Sequence, residues 1–493
     1  MDSTMDSTTE QVDAQIVAAH RAHRDTCALA PARRADWLRT IADALEENRA
    51  ELVALARQET HLGEARLNGE LRRTAFQLEL FAAEIERGEH LAATVDHHDP
   101  DWGMGPRPDI RRHNVPLGVV GVFGASNFPF AFGVVGGDTA SALAAGCAVV
   151  HKIHEGHPRL GLRIGELVKA ALAAAGAPDG LFSTVTGRPA GEALVDHPLV
   201  RAIGFTGSTA GGRALFDSAG RRPQPIPFYG ELGSVNPVFV TEAAWKARRE
   251  EILDGFAASF TLGMGQFCTK PGLLFVPEDG MRPALDHLAR TLGDQPVAPL
   301  LNPRLREGYG QALAAARNVT GIEVAVPGDE AEAPRPTVLT TTAESVRDHP
   351  DLLEHEMFGP AAVVVTYRPD DRLPDLAALF GGQLTATVHA EPHEDVADLL
   401  AALGERAGRL VWNAWPTGVT VTHAQQHGGP YPATTAPGTT SVGTASIARF
   451  MRPVAYDSFP AEQLPPPLRD DNPWRIVRRV DGTWESPEGP TGF

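Results

Sequence analysis

The sequence predicts an α/β protein built around a doubly wound parallel sheet, and three observations carry that prediction. Between residues 119 and 219 short apolar runs alternate with stretches of helical spacing. Runs such as Val119–Phe123 are apolar throughout, as strands covered on both faces are. Glycines and small polar residues stand where the runs end, at the positions a βα turn needs. At 493 residues the chain exceeds a single hydrophobic core and predicts two or three domains.

The elements follow in order. From about 9 to 90 apolar residues recur at three- and four-residue spacing, predicting a helical layer. Pro31 opens its second helix, and Glu64–Arg87 reads as one long helix with Leu71, Phe76, Leu78 and Phe81 inward. Residues 101–112, rich in Gly, Pro and Arg, predict a loop or short hairpin. Strands are expected at Val119–Phe123, 148–153, 182–186 and 202–205. Helices are expected at Gly137–Ala145, 158–175, 191–196 and 211–219. A Pro-rich connection at 221–227 leads to a second unit. That unit has strands at Val238–Val240, 273–276, 361–366 and 409–412, and helices at 243–259, 281–292 and 304–316. The stretch 423–438, rich in Gly, Pro, His and Thr, is too long for an idle turn and reads as a binding loop. The tail 465–493 carries Trp474 and Trp484, so part of it is expected to dock.

Charge and cysteine usage bound the function. Lys+Arg 44 against Asp+Glu 62 gives −18, which argues against a nucleic-acid backbone as partner. An anionic substrate would need a local positive group inside its pocket. Three cysteines far apart in sequence make no disulfide framework and suit a reducing, cytoplasmic setting. The acidic, polar start, Met-Asp-Ser-Thr and its near-copy at 5–8, is no signal peptide and reads as a frayed tail. Residues 115–137 carry no charge and exceed the roughly 20 a membrane span needs, but six glycines, Pro116 and Pro129 break any continuous helix there.

Ligands of doubly wound sheets bind beyond the carboxyl ends of the strands. Asn127, Lys152, Arg188 and Ser208 fall there. The turn Gly204-Phe205-Thr206-Gly207-Ser208-Thr209 leads into a helix whose free N–H groups suit a phosphate, although it does not match the Gly-x-Gly-x-x-Gly fingerprint and equally reads as a plain turn. Glu231, at the exit of the first unit, is either a solvated turn residue or a general base. Cys268 lies in Gly263-Met264-Gly265-Gln266-Phe267-Cys268-Thr269-Lys270-Pro271-Gly272. The glycines there permit close backbone approach, so its thiol is either a nucleophile facing an oxyanion site or an inert packed group. His423 and His427 read as hydrogen-bonded loop residues. His154-Glu155-Gly156-His157 lacks the spacing of a helical zinc site. No Gly-x-Ser-x-Gly elbow and no papain-type cysteine context occur.

Several of these segments together resemble the aldehyde dehydrogenase family over nearly the whole chain. They are Phe123-Gly124-Ala125-Ser126-Asn127-Phe128-Pro129, Lys152, Gly204 to Ser208, Glu231-Leu232-Gly233, Gln266-Phe267-Cys268 and Glu356-Met357-Phe358-Gly359-Pro360. Further blocks, among them Trp412-Asn413-x-Trp415-Pro416-Thr417-Gly418-Val419 and His427-Gly428-Gly429-Pro430-Tyr431-Pro432, are similar to the branch that oxidises α-ketoglutaric semialdehyde (2,5-dioxopentanoate) to 2-oxoglutarate. That branch is itself similar to bacterial NADP-dependent fatty-aldehyde dehydrogenases.

The resemblance implies a Rossmann-like cofactor domain before about 232, with a return near 411–430. It also implies an α/β catalytic domain over 232–410, and a small β oligomerisation arm combining 100–115 with residues of 411–493 in a homodimer or homotetramer. It implies Cys268 as nucleophile, Asn127 with the Cys268 N–H as oxyanion donors, and Glu231 as the base that activates water. Ser208, with Gly207, would meet the pyrophosphate, Lys152 and Glu356 the riboses, and Phe358 the nicotinamide. Glu155 would accept a ribose 2′-hydroxyl and so lean the choice to NAD, while Arg188 stands where NADP-using relatives hold the 2′-phosphate. Medium or long alkanals are the alternative substrate. A cofactor-independent esterase and a non-catalytic binding protein are the readings of another class. No metal is implied.

Overall fold

The computed structural model describes residues 6–486. Part of the expected frayed tail, residues 1–5, lies outside them. The rest of it is held, since Ser7 N–H donates to Thr186 O (3.0 Å) and Thr8 caps the first helix. The last residues of the expected docking tail, 487–493, also lie outside.

The chain opens with the helices Thr9–Thr26, Pro31–Glu47, Arg49–Thr60 and Glu64–Arg87. The last buries Leu67, Leu71, Leu78, Phe81 and Ile85. Phe76, expected inward, is exposed. Five residues beyond Leu71, at about 3.6 residues per turn, it falls on the opposite face.

Next comes a five-stranded parallel sheet in the order Phe182–Val185, Ala148–Lys152, Val119–Phe123, Val200–Thr206, Phe228–Glu231. The strand order reverses between Val119–Phe123 and Val200–Thr206. That opens a crevice at the carboxyl ends, where doubly wound sheets take ligands. Every residue of Val119–Phe123 is buried, the reason its apolar run is unbroken. The uncharged stretch 115–137 is therefore strand, turn and helix start. Among the described residues no helix is long and apolar enough to cross a membrane.

A second, seven-stranded sheet runs Glu323–Val326, Thr337–Thr342, Ala361–Tyr367, Leu273–Pro277, Val238–Val240, Gln383–His389, Ala407–Trp412. Its pairs are parallel except the first. The expected boundary at 410 cuts through Ala407–Trp412, which pairs along Gln383–His389 up to Trp412.

A third sheet joins the strand Ile110–Pro116 antiparallel to both Thr94–Asp96 and Met451–Asp457, with Arg478–Val480 and Thr483–Glu485 beyond. Trp474 packs partly against the core, and Trp484 stays exposed.

Candidate active site

The first two sheets carry the candidate residues at their strand ends or in the turns there. In the first sheet Lys152 and Glu231 are the last residues of their strands. Asn127, Arg188 and Ser208 follow the ends of three others within a short turn. In the second, Cys268 precedes the strand Leu273–Pro277, and Glu356 and Phe358 precede Ala361–Tyr367.

The loop that presents Cys268 needs its glycines. Gly263, Met264 and Gly265 all have positive φ (58°, 59°, 66°), and a Cβ on Gly265 would lie 2.1 Å from Gly359 O. Two anchors then fix the loop. Asn236 Nδ2 donates to Cys268 O (2.8 Å) and Lys270 O (2.9 Å). Buried Lys270 donates through Nζ to Met357 O, to Gly359 O (3.2 Å) and to Ala361 O (2.7 Å). The loops carrying Cys268 and Glu356 are thus one hydrogen-bonded unit.

Asn127 is buried, and its Nδ2 donates to Gln266 O (3.0 Å), two residues before the cysteine. Glu231 is also buried, with Oε2 unpartnered. Burial pushes its carboxyl well above the usual range, and the Ser441 hydroxyl opposes that. Arg449 Nη1 lies 4.0 Å from Glu231 Oε1, but this guanidinium is already committed to Asp138, so burial dominates. Burial likewise pushes the Cys268 thiol up to about 12, with Glu356 and Glu231 adding to it. Its own backbone N–H and Arg409 pull the other way. The resting thiol is therefore protonated at neutral pH.

Glu356 and the start of the helix Thr209–Arg221 meet over Gly233. A Cβ there would sit 2.6 Å from Glu356 Oε2 and 2.8 Å from Thr209 Oγ1. Ser208 caps that helix, accepting from Gly211 N–H (3.3 Å), and is exposed at its end. A free helix N-terminus, a carboxylate and a glycine floor that no Cβ could share fit the diphosphate and ribose of a dinucleotide. Lys152 Nζ lies 3.6 Å from Glu155 Oε1. Phe358 is half-buried on the Glu356 loop. Arg188 does not join the group. It is exposed and pairs with Glu192 on its own helix (3.2 Å).

Sequence reasoning missed three features. His427, read as a loop residue, is buried with Nε2 3.7 Å from Cys268 Sγ. Burial, then Arg409 and Arg73, push its pKa down to about 3, so the ring is neutral. His423, by contrast, is the exposed loop residue expected and meets Thr444 Oγ1 (3.2 Å). Lys270 was passed over as part of a loop exit. A cavity of about 340 Å³ leads to Cys268, and Arg66, Glu70 and Arg73 of the helix Glu64–Arg87 line it beside Phe128, Phe132 and Phe267. A signal was present, since 66, 70 and 73 share one helical face with the residue at 69, a glycine.

The sequence pattern of the aldehyde dehydrogenase family matches residues 1–436. The chain is 43% identical over 465 residues to alpha-ketoglutaric semialdehyde dehydrogenase 2 of Azospirillum brasilense, covering 92% of this chain and 88% of the relative. It is 40% identical over 486 residues to alpha-ketoglutaric semialdehyde dehydrogenase of Acinetobacter baylyi, covering 97% and 92%. Among solved structures, a mutant of Bradyrhizobium japonicum proline utilization A superposes with a TM-score of 0.77 at 26% identity. That match covers 92% of this chain but only 46% of that longer protein.

Proposed function

The chain belongs to the aldehyde dehydrogenase family, an aldehyde-oxidising oxidoreductase that uses NAD or NADP, and from that premise we propose that it converts α-ketoglutaric semialdehyde to 2-oxoglutarate with Cys268 as nucleophile. The observation that carries the mechanism is the setting of Cys268: it lines the cavity, Asn127 Nδ2 donates to Gln266 O two residues before it, and the Glu231 carboxylate acts on its thiol. The substrate is the one named for both semialdehyde relatives.

Cys268 Sγ attacks the aldehyde carbon. As the C–S bond forms the thiol gives up its proton, which ends on the new oxygen, while neutral His427 lies beside the sulfur with Nε2 3.7 Å away. The Cys268 N–H and, once released from Gln266 O, the Asn127 amide donate to that oxygen while it bears charge. Losing one such donor typically costs ~10²–10³ in rate. Ser208, Gly207, Lys152, Glu356 and Phe358 would hold NAD or NADP, which when bound would accept the hydride; the hydroxyl proton leaves to solvent and a thioester remains on Cys268. Glu231 acts in its ionised form, which its burial makes the scarcer one, and takes a proton from water. The resulting hydroxide attacks the thioester, the carboxylate product leaves, and sulfur regains its proton. A base positioned for that step favours hydrolysis over transfer to a second thiol.

NAD is the preferred cofactor on this reading, supported by the Glu155 carboxylate beside Lys152 and by the outward, Glu192-paired Arg188. The three free cysteines support a cytoplasmic location. The open edge of the third sheet at Met451–Asp457 supports a homodimer or homotetramer. The experiment is a steady-state panel of α-ketoglutaric semialdehyde, succinic semialdehyde, glutaraldehyde and long alkanals, each with NAD and NADP. A higher kcat/KM for alkanals overturns the substrate. Full activity of Cys268→Ser overturns the mechanism.

A further inference from the structure

The substrate proposed above carries a carboxylate at the end opposite its aldehyde, and the protein that must receive it has a net charge of −18. We propose that Arg73, supported by Arg66, is the specificity-determining anchor that receives this carboxylate in the cavity leading to Cys268. The inference rests on the substrate reading and adds to it the residue that enforces it.

Three observations carry the proposal. The first is placement. Arg66, Glu70 and Arg73 recur at i, i+4 and i+7 on the helix Glu64–Arg87, so they share the face that lines the cavity, while Leu67, Leu71 and Leu78 pack inward. Gly69 lies among them, and a Cβ there would meet nothing within 4 Å, so the helix leaves this wall open.

The second is unspent donors. Arg73 Nε makes one long bond to Val419 O (3.4 Å), and its buried Nη1 has no partner. Arg66 is fixed, not free. Its Nη2 donates to Asn127 O (2.6 Å), and its guanidinium stacks over Phe128 and Phe267, with centroids 5.1 and 4.7 Å away. Its Nη1 is also unpartnered. Buried guanidinium nitrogens without partners are rare in folded proteins and call for an acceptor.

The third is charge. Among the described residues Glu70 is the one carboxylate lining the cavity. Its Oε1 already accepts from Phe130 N–H (2.8 Å) and Ala131 N–H (3.0 Å), and it makes no ion pair with either arginine. Burial pushes the Glu70 carboxyl up, while the Ala131 N–H, Arg66, the Phe130 N–H and Arg73 oppose it. Two guanidiniums, which stay charged, thus face at most one carboxylate. This is the local positive group an anionic substrate requires. Arg73 lines the same cavity as Cys268, and burial lowers its pKa while Glu70, then Cys268, act to raise it. A molecule bonded to the thiol at one end can therefore present an anion to Arg73 at the other. An alkyl chain in the same place would leave the donors unpaired, which disfavours long alkanals.

The test compares α-ketoglutaric semialdehyde with hexanal, a neutral aldehyde of similar length, in the parent, Arg73→Gln and Arg73→Lys. Glutarate serves as a competitive probe of the anion site. The kcat/KM ratio of semialdehyde to hexanal should fall roughly 10–100-fold in Arg73→Gln, mostly through KM, as expected for one charge-assisted contact. Glutarate inhibition should weaken in step, and Arg73→Lys should fall less. The lysine variant alone decides the matter if the glutamine variant does not fold, because a fall confined to the acid is still required. A ratio within twofold of the parent, with glutarate inhibition unchanged, overturns the anchor and leaves the substrate reading standing. A parent that prefers hexanal overturns the substrate reading. Glutarate inhibition lost in Arg73→Gln would then still support an anion anchor for another acid, and a parent insensitive to glutarate would overturn the anchor as well.

Discussion

Replacing Lys270 by methionine removes an ammonium and little else, since the apolar stem is kept. The loss is concentrated, because Nζ donates to three carbonyls, those of Met357, Gly359 and Ala361, from a fully enclosed position. Hydrogen bonds to a charged donor are worth about 1.5–3 kcal/mol each. Part of that sum is offset, because the buried ammonium no longer has to be desolvated. The net cost of removing one partner from a buried charged arrangement is about 3–5 kcal/mol. With a urea slope of about 3 kcal/mol per M, the unfolding midpoint should fall by about 1–1.7 M. The same bonds join the Cys268 loop to the loop of Glu356 and Phe358. The Michaelis constant for NAD(P) should therefore rise, and kcat should drop by about 10²-fold, the usual consequence of misplacing reacting groups by about 1 Å. Glu356, whose carboxyl burial pushes up and Lys270 holds down, should become harder to ionise. Urea titration with steady-state kinetics on the same preparation checks both arms. A midpoint within 0.3 M of the parent (about 1 kcal/mol on that slope), together with unchanged kcat, would refute the idea that Lys270 ties these loops together.

Glu231→Gln should release one equivalent of NAD(P)H per active site in a burst and then turn over ~10²–10⁴-fold more slowly, because acylation proceeds and hydrolysis loses its base. Rapid-mixing absorbance at the reduced-cofactor band reads both phases, and loss of the burst would place Glu231 in an earlier step. Glu155→Ser should raise the NADP to NAD ratio of kcat/KM, and an unchanged ratio would remove Glu155 from cofactor choice. His389 is buried against Trp415 with neither ring nitrogen partnered, and burial, then Arg248, push its pKa from 6.5 down to about 4. As pH falls below 6.5 the unfolded chain gains a proton that the folded one refuses. Stability present above pH 6.5 is thus lost on the way down to about pH 4, by about 2 kcal/mol at pH 5. His389→Phe should lack that loss, so its stability advantage over the parent should widen by that amount between pH 7 and pH 5 in urea titrations. An equal difference at both pH values would show that His389 titrates normally.

Strands buried on both faces were legible because burial demands an unbroken apolar run. Val119–Phe123, Val238–Val240 and Leu273–Pro277 lie where the sequence puts them, to within a residue. Gln383–His389 escaped, although every residue in it is buried, because Gln383, Thr385, Thr387 and His389 interrupt its apolar run, and the first two are satisfied by distant partners. Gln383 Oε1 accepts from Val235 N–H and Asn236 N–H (2.9 and 3.1 Å) and from the Ser234 hydroxyl. The strands Thr337–Thr342 and Met451–Asp457 escaped likewise, the first threonine-rich and the second exposed along much of its length.

By itself the sequence determined the family and the α/β architecture, and it singled out Cys268, Glu231 and Asn127 as the candidates for the chemistry proposed here. Strand-end positions and glycine-bounded loops are local features, and the chemistry calls for those residue types. The tertiary structure alone decided what surrounds them. It brought His427 to 3.7 Å from the thiol across 159 residues, and it spent the Lys270 charge on three carbonyls almost a hundred residues away. It also turned Arg66 and Arg73, which on an amphipathic helix read as solvated charges, toward the cavity at Cys268. Those are contacts between elements far apart in the chain, and no periodicity along one element encodes the partner on another.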